Sequence, residues 1–389
     1  MSLSSRIYAE LRGDRVIWMI VALLAMFSIL AVYSSTGTIA YRHKGGNTEF
    51  YLLKQFILIA AGLGLTYLCY LLHYMKYSRA APVLLAIAIP VLIYTLVFGA
   101  EYNEARRWIE VPGIPFTFQT SEFAKLALII YVARVISSKQ EYIKDMKSAF
   151  LPIIVPVLIV CGLIAPADLS SAVILFLVSI LMMFMGRVAM KYILLLLFMG
   201  AVVFSFLVML GSFFPDFVRV NTWTARVEQF REPAKETYQV KHAKIAIASG
   251  DFAGVGPGKS TLRNYLPHPY SDFIYAIICE EYGLLGGLLI VVLYTLLFLR
   301  TVSLVTRSPK TFGAMLALGV SLSLVSQAFI NMAVSVNLLP VTGVTLPMVS
   351  MGGTSILFSS MSFGIVLSVS RYIEKVNERA DLPDVREFA

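Results

Sequence analysis

Long apolar runs separated by short polar stretches fill this sequence from Val16 to Ser370. A bilayer core about 30 Å thick needs about 20 apolar residues of helix, and this criterion predicts about ten membrane-spanning helices. The predicted spans are Val16–Ser35, Tyr51–Leu72, Ala80–Gly99, Phe123–Ile136, Phe150–Ala165, Ser171–Met185, Tyr192–Phe214, Asp272–Leu299, Phe312–Val336 and Leu346–Ser370. We therefore expect a single all-α domain over residues 1–389, a polytopic integral membrane helical bundle.

The composition excludes an ordinary soluble enzyme. Hydrophobic residues make up 58% of the chain and charged residues 14%, whereas a soluble domain carries about 25% charged residues. The three cysteines lie in apolar runs at spacings that match neither a zinc site nor a redox motif. A net charge of +9 would suggest a nucleic-acid partner in a soluble protein. In a membrane protein it first indicates orientation, and we expect no nucleic-acid partner.

Lysine and arginine are distributed unequally between the two sets of connections. One set carries roughly 18 of them and the other about 6, while about 8 more lie in the long segment of residues 215–271. Short cytoplasmic loops carry the excess of positive charge, and long segments are left out of this comparison. We therefore predict that both termini are cytoplasmic. The segment of about 215–271 keeps apolar and aromatic positions, so we expect a structured, functional loop on the outer face.

A glycine-rich stretch, Ala253-Gly-Val-Gly-Pro-Gly-Lys-Ser260, fits a loose form of the nucleotide-binding P-loop. That loop requires a strand before it, a helix after it and a supply of cytosolic nucleotide. Here the stretch follows a polar segment, contains Pro257 and belongs to the predicted outer face. We therefore interpret it as a glycine-rich turn.

Three acidic residues follow Tyr265, where the outer segment enters an apolar helix. Acidic residues at membrane depth are costly and indicate function by default. The structural alternative for Asp272, equally weighted on helix physics alone, is that Ser271 caps the helix and Asp272 complements its dipole. Glu280 lies about two turns further on, about 80° around the helix from Asp272, and Glu281 lies on the opposite face. Both could instead pair with basic residues inside the bundle.

A second group of polar residues follows the third predicted span. Arg107 and Trp108, preceded by another arginine, suit phosphate binding at a membrane interface, because guanidinium groups bind phosphate and tryptophan is enriched there. Glu122 and Lys125 are spaced i,i+3 on one helix face, so a plain ion pair is the structural alternative. Asp168 precedes another predicted helix and is either a site residue or an N-cap.

A third group lies in the outer segment at Tyr238-Gln239-Val-Lys241-His242. Lys241 could belong to a solvated face, His242 is more simply a hydrogen-bonded residue than a catalyst, and no spacing indicates a metal site. The three groups together place acids and bases at one face of a bundle where no ATP is available. The substrate should then carry its own activation, and a lipid-linked phosphate ester fits this chemistry.

Several separated motifs follow one another along the chain. They are Arg106-Arg107-Trp-Ile, Gln119-x-Ser-Glu122-x-x-Lys125, Tyr238-Gln239, Tyr265-Leu-Pro with Asp272-Phe-Ile-x-Ala-Ile-Ile-x-Glu280-Glu281, and Leu338-Leu-Pro-Val-Thr-Gly-Val-Thr-Leu-Pro347-Met-Val-Ser350-x-Gly352-Gly353. In this order they resemble the SEDS family (shape, elongation, division and sporulation) over nearly the whole chain. Thr345-Leu-Pro347 and Arg106-Arg107-Trp108 look closer to the division branch of the family than to the elongation branch.

The resemblance implies a peptidoglycan glycosyltransferase of the bacterial cytoplasmic membrane. It would polymerise lipid II, a disaccharide-pentapeptide on undecaprenyl pyrophosphate, into a nascent glycan strand. The implied partners are a class B penicillin-binding protein, which supplies transpeptidation, and membrane proteins of the division complex. Asp272 matches the family's essential outer-loop aspartate and is the expected general base. Arg107, Lys125 and Lys241 would stabilise the leaving pyrophosphate, and Glu122 would orient Lys125.

The same motifs supply the remaining expected substrate-binding positions. These are Trp108, Asp168, Gln239, Glu280, Ser350 and Gly352. A divalent cation, Mg²⁺ or Mn²⁺, could assist, although no residue pattern requires one. The chain also departs from the family's usual pattern, with Thr120 in place of Pro, Ala-Pro-Ala-Asp-Leu-Ser-Ser across residues 165–171, His-Ala across 242–243, and Met351 in place of an aromatic residue. None of these departures concerns Asp272.

Two functions of other classes stay open. A transporter that flips the same lipid would carry charges buried mid-span or helices broken near the midplane, whereas the informative charges here cluster at the predicted outer face. A non-enzymatic scaffold of the division complex is also compatible with the sequence. Within the family, the elongation-type role is the alternative.

Overall fold

The computed structural model describes residues 12–36, 48–102, 105–110, 117–213, 220–232, 237–265 and 270–380. Within these ranges the helices are α1 (Arg15–Ser35), α2 (Thr48–Leu71), α3 (Met75–Phe98), α4 (Thr120–Ser138), α5 (Leu151–Ile164), α6 (Leu169–Met185), α7 (Met190–Phe213), α8 (Val220–Arg231), α9 (Tyr238–Gly250), α10 (Ile274–Arg307), α11 (Thr311–Ser335) and α12 (Thr354–Ala380). The strands are β1 (Ala100–Tyr102), β2 (Ala105–Glu110) and β3 (Thr117–Gln119).

The ten predicted spans correspond to α1–α7 and α10–α12, so the predicted helical membrane bundle is confirmed. In the described part of the chain, seven of these helices are long and apolar enough to cross a membrane, and α5 and α6 are shorter apolar helices. Buried residues fill 72% and 78% of the spanning windows of α11 and α12, but only 17% of that of α7. The two C-terminal helices therefore form the centre of the bundle, and α7 lies at its lipid-facing rim.

The last helix begins later than predicted. The apolar run suggested a span from Leu346, whereas α12 begins at Thr354 and residues 346–353 form turns. Pro347 lacks an amide donor and Gly353 has a φ of +51°, so this stretch is poorly suited to a helix. Hydropathy alone does not distinguish a buried irregular segment from a buried helix.

The purely α-helical prediction also missed a small antiparallel sheet between α3 and α4. The strand order is β1-β2-β3, and Trp108 on β2 pairs with Gln119 on β3. Since α4 begins at Thr120, directly after β3, the sheet joins Arg107 to the first turn of α4. These strands are three to six residues long, too short for a reliable periodicity.

Helix α10 is broken at Gly283, whose φ of +65° and ψ of −162° are not helical. The stretch from Leu284 to Arg307 is 24 residues long, about 36 Å at 1.5 Å per residue, and is sufficient to cross a bilayer by itself. The shorter piece, Ile274–Tyr282, is therefore an addition at the end of the span. The break lies near that end and not at the middle of the bundle.

The glycine-rich stretch docks on this break, which confirms its interpretation as a turn. Val255 and Gly256 donate backbone hydrogen bonds to the carbonyls of Glu280 and Glu281 at 3.0 Å each, and Leu284 donates to the carbonyl of Asp251 at 2.9 Å. The turn thus satisfies the backbone groups that the break leaves open. No strand precedes it, because α9 ends at Gly250.

Candidate active site at the outer end of the bundle

We define the outer end of the bundle as the end where α3 and α11 finish and where α8 and α9 lie. Asp272 is placed there by its main chain. The carbonyls of Tyr270, Ser271 and Asp272 each accept a hydrogen bond from a later part of the chain. In that order the donors are the Met351 amide at 2.9 Å, the Ser350 hydroxyl at 2.7 Å and the Asn331 side-chain amide at 2.9 Å. Three successive carbonyls are therefore held in place.

The carboxylate of Asp272 is half-buried and accepts a hydrogen bond from the Ser271 hydroxyl at 2.8 Å. Helix α10 begins two residues later, and its N-cap residue, Phe273, makes no side-chain capping bond. The helix-capping alternative for Ser271 is therefore not what the structure shows. Oδ2 of Asp272 faces Gly343, 3.8 Å from where a β-carbon would be. Burial, the nearby Tyr51 and the Asp272 charge together raise the pKa of the Tyr270 phenol above its ordinary value.

Ser350 and Gly352 lie behind the aspartate and shape the loop that holds it. The Ser350 side chain is 1% exposed, and its hydroxyl accepts from the Leu346 amide at 2.8 Å while donating to Ser271. The Gly352 carbonyl accepts from the Ser355 amide at 2.9 Å, at the first turn of α12. Ser350 thus supports the main chain next to Asp272, whereas Gly352 belongs to the turn that leads into α12.

Arg107 and Asp168 contact each other at the start of α6. The Arg107 guanidinium donates to the Ala167 carbonyl at 2.7 Å and lies 3.4 Å from Asp168 Oδ2. Asp168 is 4% exposed and also caps α6, because it accepts hydrogen bonds from the Ser171 amide and hydroxyl at 3.1 and 3.0 Å. The two alternatives for Asp168 are therefore compatible, since the cap residue also orients the arginine.

A cavity of about 130 Å³ opens beside this pair, and we call it the outer cavity. Its polar lining includes Arg107, Asp168, Arg226 and Thr342, and Trp223 forms part of its wall. Arg226 donates to the Thr342 carbonyl at 3.4 Å. Trp223 and Arg226 lie on α8, spaced i,i+3 on one face. These two residues were not among the site residues predicted from the sequence, although their spacing was a usable signal.

Glu122 and Lys125 form a buried ion pair in the first two turns of α4. Lys125 Nζ donates to Glu122 Oε1 at 2.7 Å and to Gln327 Oε1 of α11 at 3.4 Å. The two residues are 8% and 5% exposed. Gln327 in turn donates to the Thr345 carbonyl at 3.2 Å. The ion-pair alternative is thus realised, and the pair joins α4 to α11 and to the loop before α12.

Gln239, Lys241 and Trp108 lie at the same end of the bundle. Helix α9 packs Val240, Ala243 and Ala246 against the first piece of α10, leaving Gln239 half-buried and Lys241 exposed. On the same helix, His242 stacks on Tyr265, with ring centroids 5.4 Å apart. Trp108 is half-buried on β2.

Glu280 and Glu281 are both 1% exposed and are engaged by the glycine-rich turn. Glu280 accepts from the Thr261 amide at 3.0 Å and from the Ser260 hydroxyl. Glu281 accepts from the Ser260 amide at 3.3 Å and from the Ser34 hydroxyl of α1. The geometry thus turns Glu280 toward this segment and not toward the outer cavity. Among the described residues no three His, Cys, Asp or Glu side chains are grouped as in a metal site. The divalent cation stays a prediction.

Comparisons with known proteins agree on one family. The model of the FtsW/RodA/SpoVE family, described as cell cycle protein, matches residues 14–375. A probable peptidoglycan glycosyltransferase FtsW of Trichlorobacter lovleyi is 33% identical over 364 residues, covering 92% of this chain and 93% of that protein. The stage V sporulation protein E of Bacillus subtilis is 30% identical over 369 residues, covering 92% and 97%.

Solved structures show the same fold. A chain from a study of how a peptidoglycan synthase complex coordinates polymerization and crosslinking superposes with a TM-score of 0.69 at 23% identity, covering 93% of this chain and 98% of that one. The rod shape determining protein RodA of Thermus thermophilus gives 0.66 at 23% identity, covering 92% and 97%. Given the extent of the family match and these similarities, the chain belongs to the FtsW/RodA/SpoVE family of cell cycle proteins, as a multi-pass membrane protein.

Proposed function

We propose that this protein is a peptidoglycan glycosyltransferase that polymerises lipid II at the outer face of the bacterial cytoplasmic membrane, with both termini in the cytoplasm. The names of its relatives support the reaction class. The observation that supports this site is how Asp272 is held. Three hydrogen bonds fix the carbonyls of residues 270–272, while the Asp272 carboxylate is half-buried and accepts from a neutral donor. A fixed carboxylate that reaches solvent suits a general base.

In this mechanism Asp272 removes the proton from the 4-hydroxyl of the acceptor GlcNAc. The oxygen attacks the anomeric carbon of the lipid-linked strand and a new glycosidic bond forms with inversion. The bond to undecaprenyl pyrophosphate breaks, and its electrons leave with the pyrophosphate. Arg107 and Arg226, which both line the outer cavity, hold that developing charge. Lys125, at 5% exposure with two acceptors, supports the site as a tie between helices.

The proposed partners are a class B penicillin-binding protein and membrane proteins of the division complex. A fold shared with a chain of a peptidoglycan synthase complex supports the first of these. Relatives named FtsW support division over elongation.

The geometry favours chemistry over transport. A lipid flippase would need charges or broken helices near the midplane. Here the buried pair Glu122–Lys125 occupies the first two turns of α4, and the break at Gly283 leaves a full-length span below it. The polar machinery is thus concentrated at the outer end.

The test is polymerisation of purified lipid II by the protein with its partner, comparing Asp272→Asn with Asp251→Asn. Asp251 is an exposed carboxylate of the outer segment, and asparagine matches its size and shape, so this substitution removes only the charge. We expect Asp272→Asn to lower the rate by about 10²–10⁴-fold and the control to polymerise normally. Equal product from both variants would contradict the general base. Product that requires a separate polymerase would support the scaffold, and translocation without polymer would support the transporter.

A further inference from the structure

Asn331 lies on α11, one of the two central helices of the bundle, and is 1% exposed. Its amide nitrogen donates two hydrogen bonds, to the carbonyl of Asp272 at 2.9 Å and to the carbonyl of Val344 at 2.7 Å. One side chain thus connects the proposed base to a loop 72 residues later in the chain. A contact of this kind from a buried helix fixes a distance more firmly than a loop contact does.

Only a neutral amide satisfies this position. Both acceptors are carbonyl oxygens, so the NH₂ group must face them and the amide oxygen must point away. That oxygen is buried and has no partner within the ranges that the structure describes. An aspartate here would set a carboxylate against two carbonyls, and leucine would fill similar space without any donor.

The loop held by Asn331 also forms a wall of the outer cavity. Pro340, Val341 and Thr342 line that cavity together with Arg107 and Arg226. Two residues further on, Val344 is tied to Asn331, and between them Gly343 faces the Asp272 carboxylate. Asn331 therefore sets the position of the proposed base relative to the cavity proposed for the leaving pyrophosphate.

We infer that Asn331 is a positioning residue for Asp272, which acts on proton removal by fixing the aspartate main chain against the cavity loop. This inference rests on the proposed function. It predicts an effect on turnover and not on lipid II binding, because the buried Asn331 side chain is not accessible to the substrate. It also predicts that the effect depends on the placement of the carboxylate at position 272.

The experiment compares Asn331→Leu, Asn331→Ser and the control Ser335→Ala in lipid II polymerisation. Ser335 is fully buried one turn further along α11, and among the described residues its hydroxyl bonds only to its own helix, at the carbonyl of Asn331. We expect Asn331→Leu to lower kcat by about 30-fold or more, since a shift of about 1 Å can cost about 100-fold, with KM within about threefold. The kcat of Asn331→Ser, which keeps one donor, should lie between that of Asn331→Leu and that of the unmodified protein. Ser335→Ala should stay within about threefold of the unmodified protein.

A double-mutant cycle separates positioning from a general structural role. In an Asp272→Glu background, whose carboxylate is already displaced by a methylene, Asn331→Leu should cost no more than about threefold. If the kcat losses of the two substitutions multiply, or if Asn331→Leu changes only KM, the inference is overturned.

A second readout does not depend on catalysis. The native cysteines are buried, so Asp272→Cys can be labelled selectively by a membrane-impermeant maleimide, and Asn331→Leu should raise the labelling rate by about fivefold or more. An unchanged rate would overturn the inference. If the unmodified protein makes no polymer, the proposed function fails, and labelling alone then decides whether Asn331 positions residue 272.

Discussion

Replacing Lys125 with methionine tests how the buried pair of α4 contributes. The side chain keeps its length, but the charge opposite Glu122 and the donor to Gln327 are lost. Since Glu122 is 8% exposed, water replaces the lost partner poorly. The variant should therefore leave an uncompensated carboxylate between α4 and α11.

The magnitude follows from the distance. At 2.7 Å and an effective dielectric constant of about 20, the two charges attract by about 6 kcal/mol. Much of this offsets the desolvation of both groups, and the measured cost of removing one partner of a buried pair is about 3–5 kcal/mol. In a chain of 389 residues such a loss lowers the melting midpoint by about 4–6 °C. Removing both charges, in Glu122→Gln/Lys125→Met, should restore most of the stability lost in Lys125→Met.

The assay is thermal unfolding in detergent beside lipid II polymerisation, with Lys144→Met, at an exposed lysine between α4 and α5, as control. We expect the single variant to lose stability, and the double variant to regain both stability and a polymerisation rate within about tenfold of the original. A Lys125→Met protein as stable as the control would refute the structural role. Restored stability without polymerisation would indicate instead that Lys125 contacts the pyrophosphate.

Two further predictions concern the outer end of the bundle. Arg226→Ala should lower kcat/KM for lipid II by about 10–100-fold, the value of a charge-assisted hydrogen bond. Arg231→Ala, at an exposed position of the same helix, should leave kcat/KM unchanged. Equal effects of the two substitutions would contradict a role of Arg226 in the cavity. Gly254→Ala should lower the melting midpoint far more than Gly258→Ala. Both glycines have positive φ (84° and 75°). A β-carbon at 254 would overlap the carbonyl of Glu281, whereas a β-carbon at 258 would have no described atom within 4 Å. Equal shifts would show that only backbone strain matters.

The sequence alone was sufficient to predict the helical membrane bundle. Every described spanning helix coincides with a predicted apolar run, because a chain in lipid must satisfy its backbone hydrogen bonds internally and helices do so locally. It also indicated the paired alternatives for Glu122, Lys125 and Asp168, since helix spacing and capping are local properties. Nothing local, however, distinguished the irregular residues 346–353 from a helix.

Tertiary structure decided what each polar residue contacts. The bonds from Asn331 to Asp272 and from Arg226 to Thr342 span 59 and 116 positions of the chain, and no periodicity records them. Glu280 belonged to a promising motif, yet packing turned it toward the glycine-rich stretch. The physical reason is the same in each case. Hydropathy and propensity act between neighbours in sequence, whereas a buried polar group must find its partner among whichever residues the fold brings beside it.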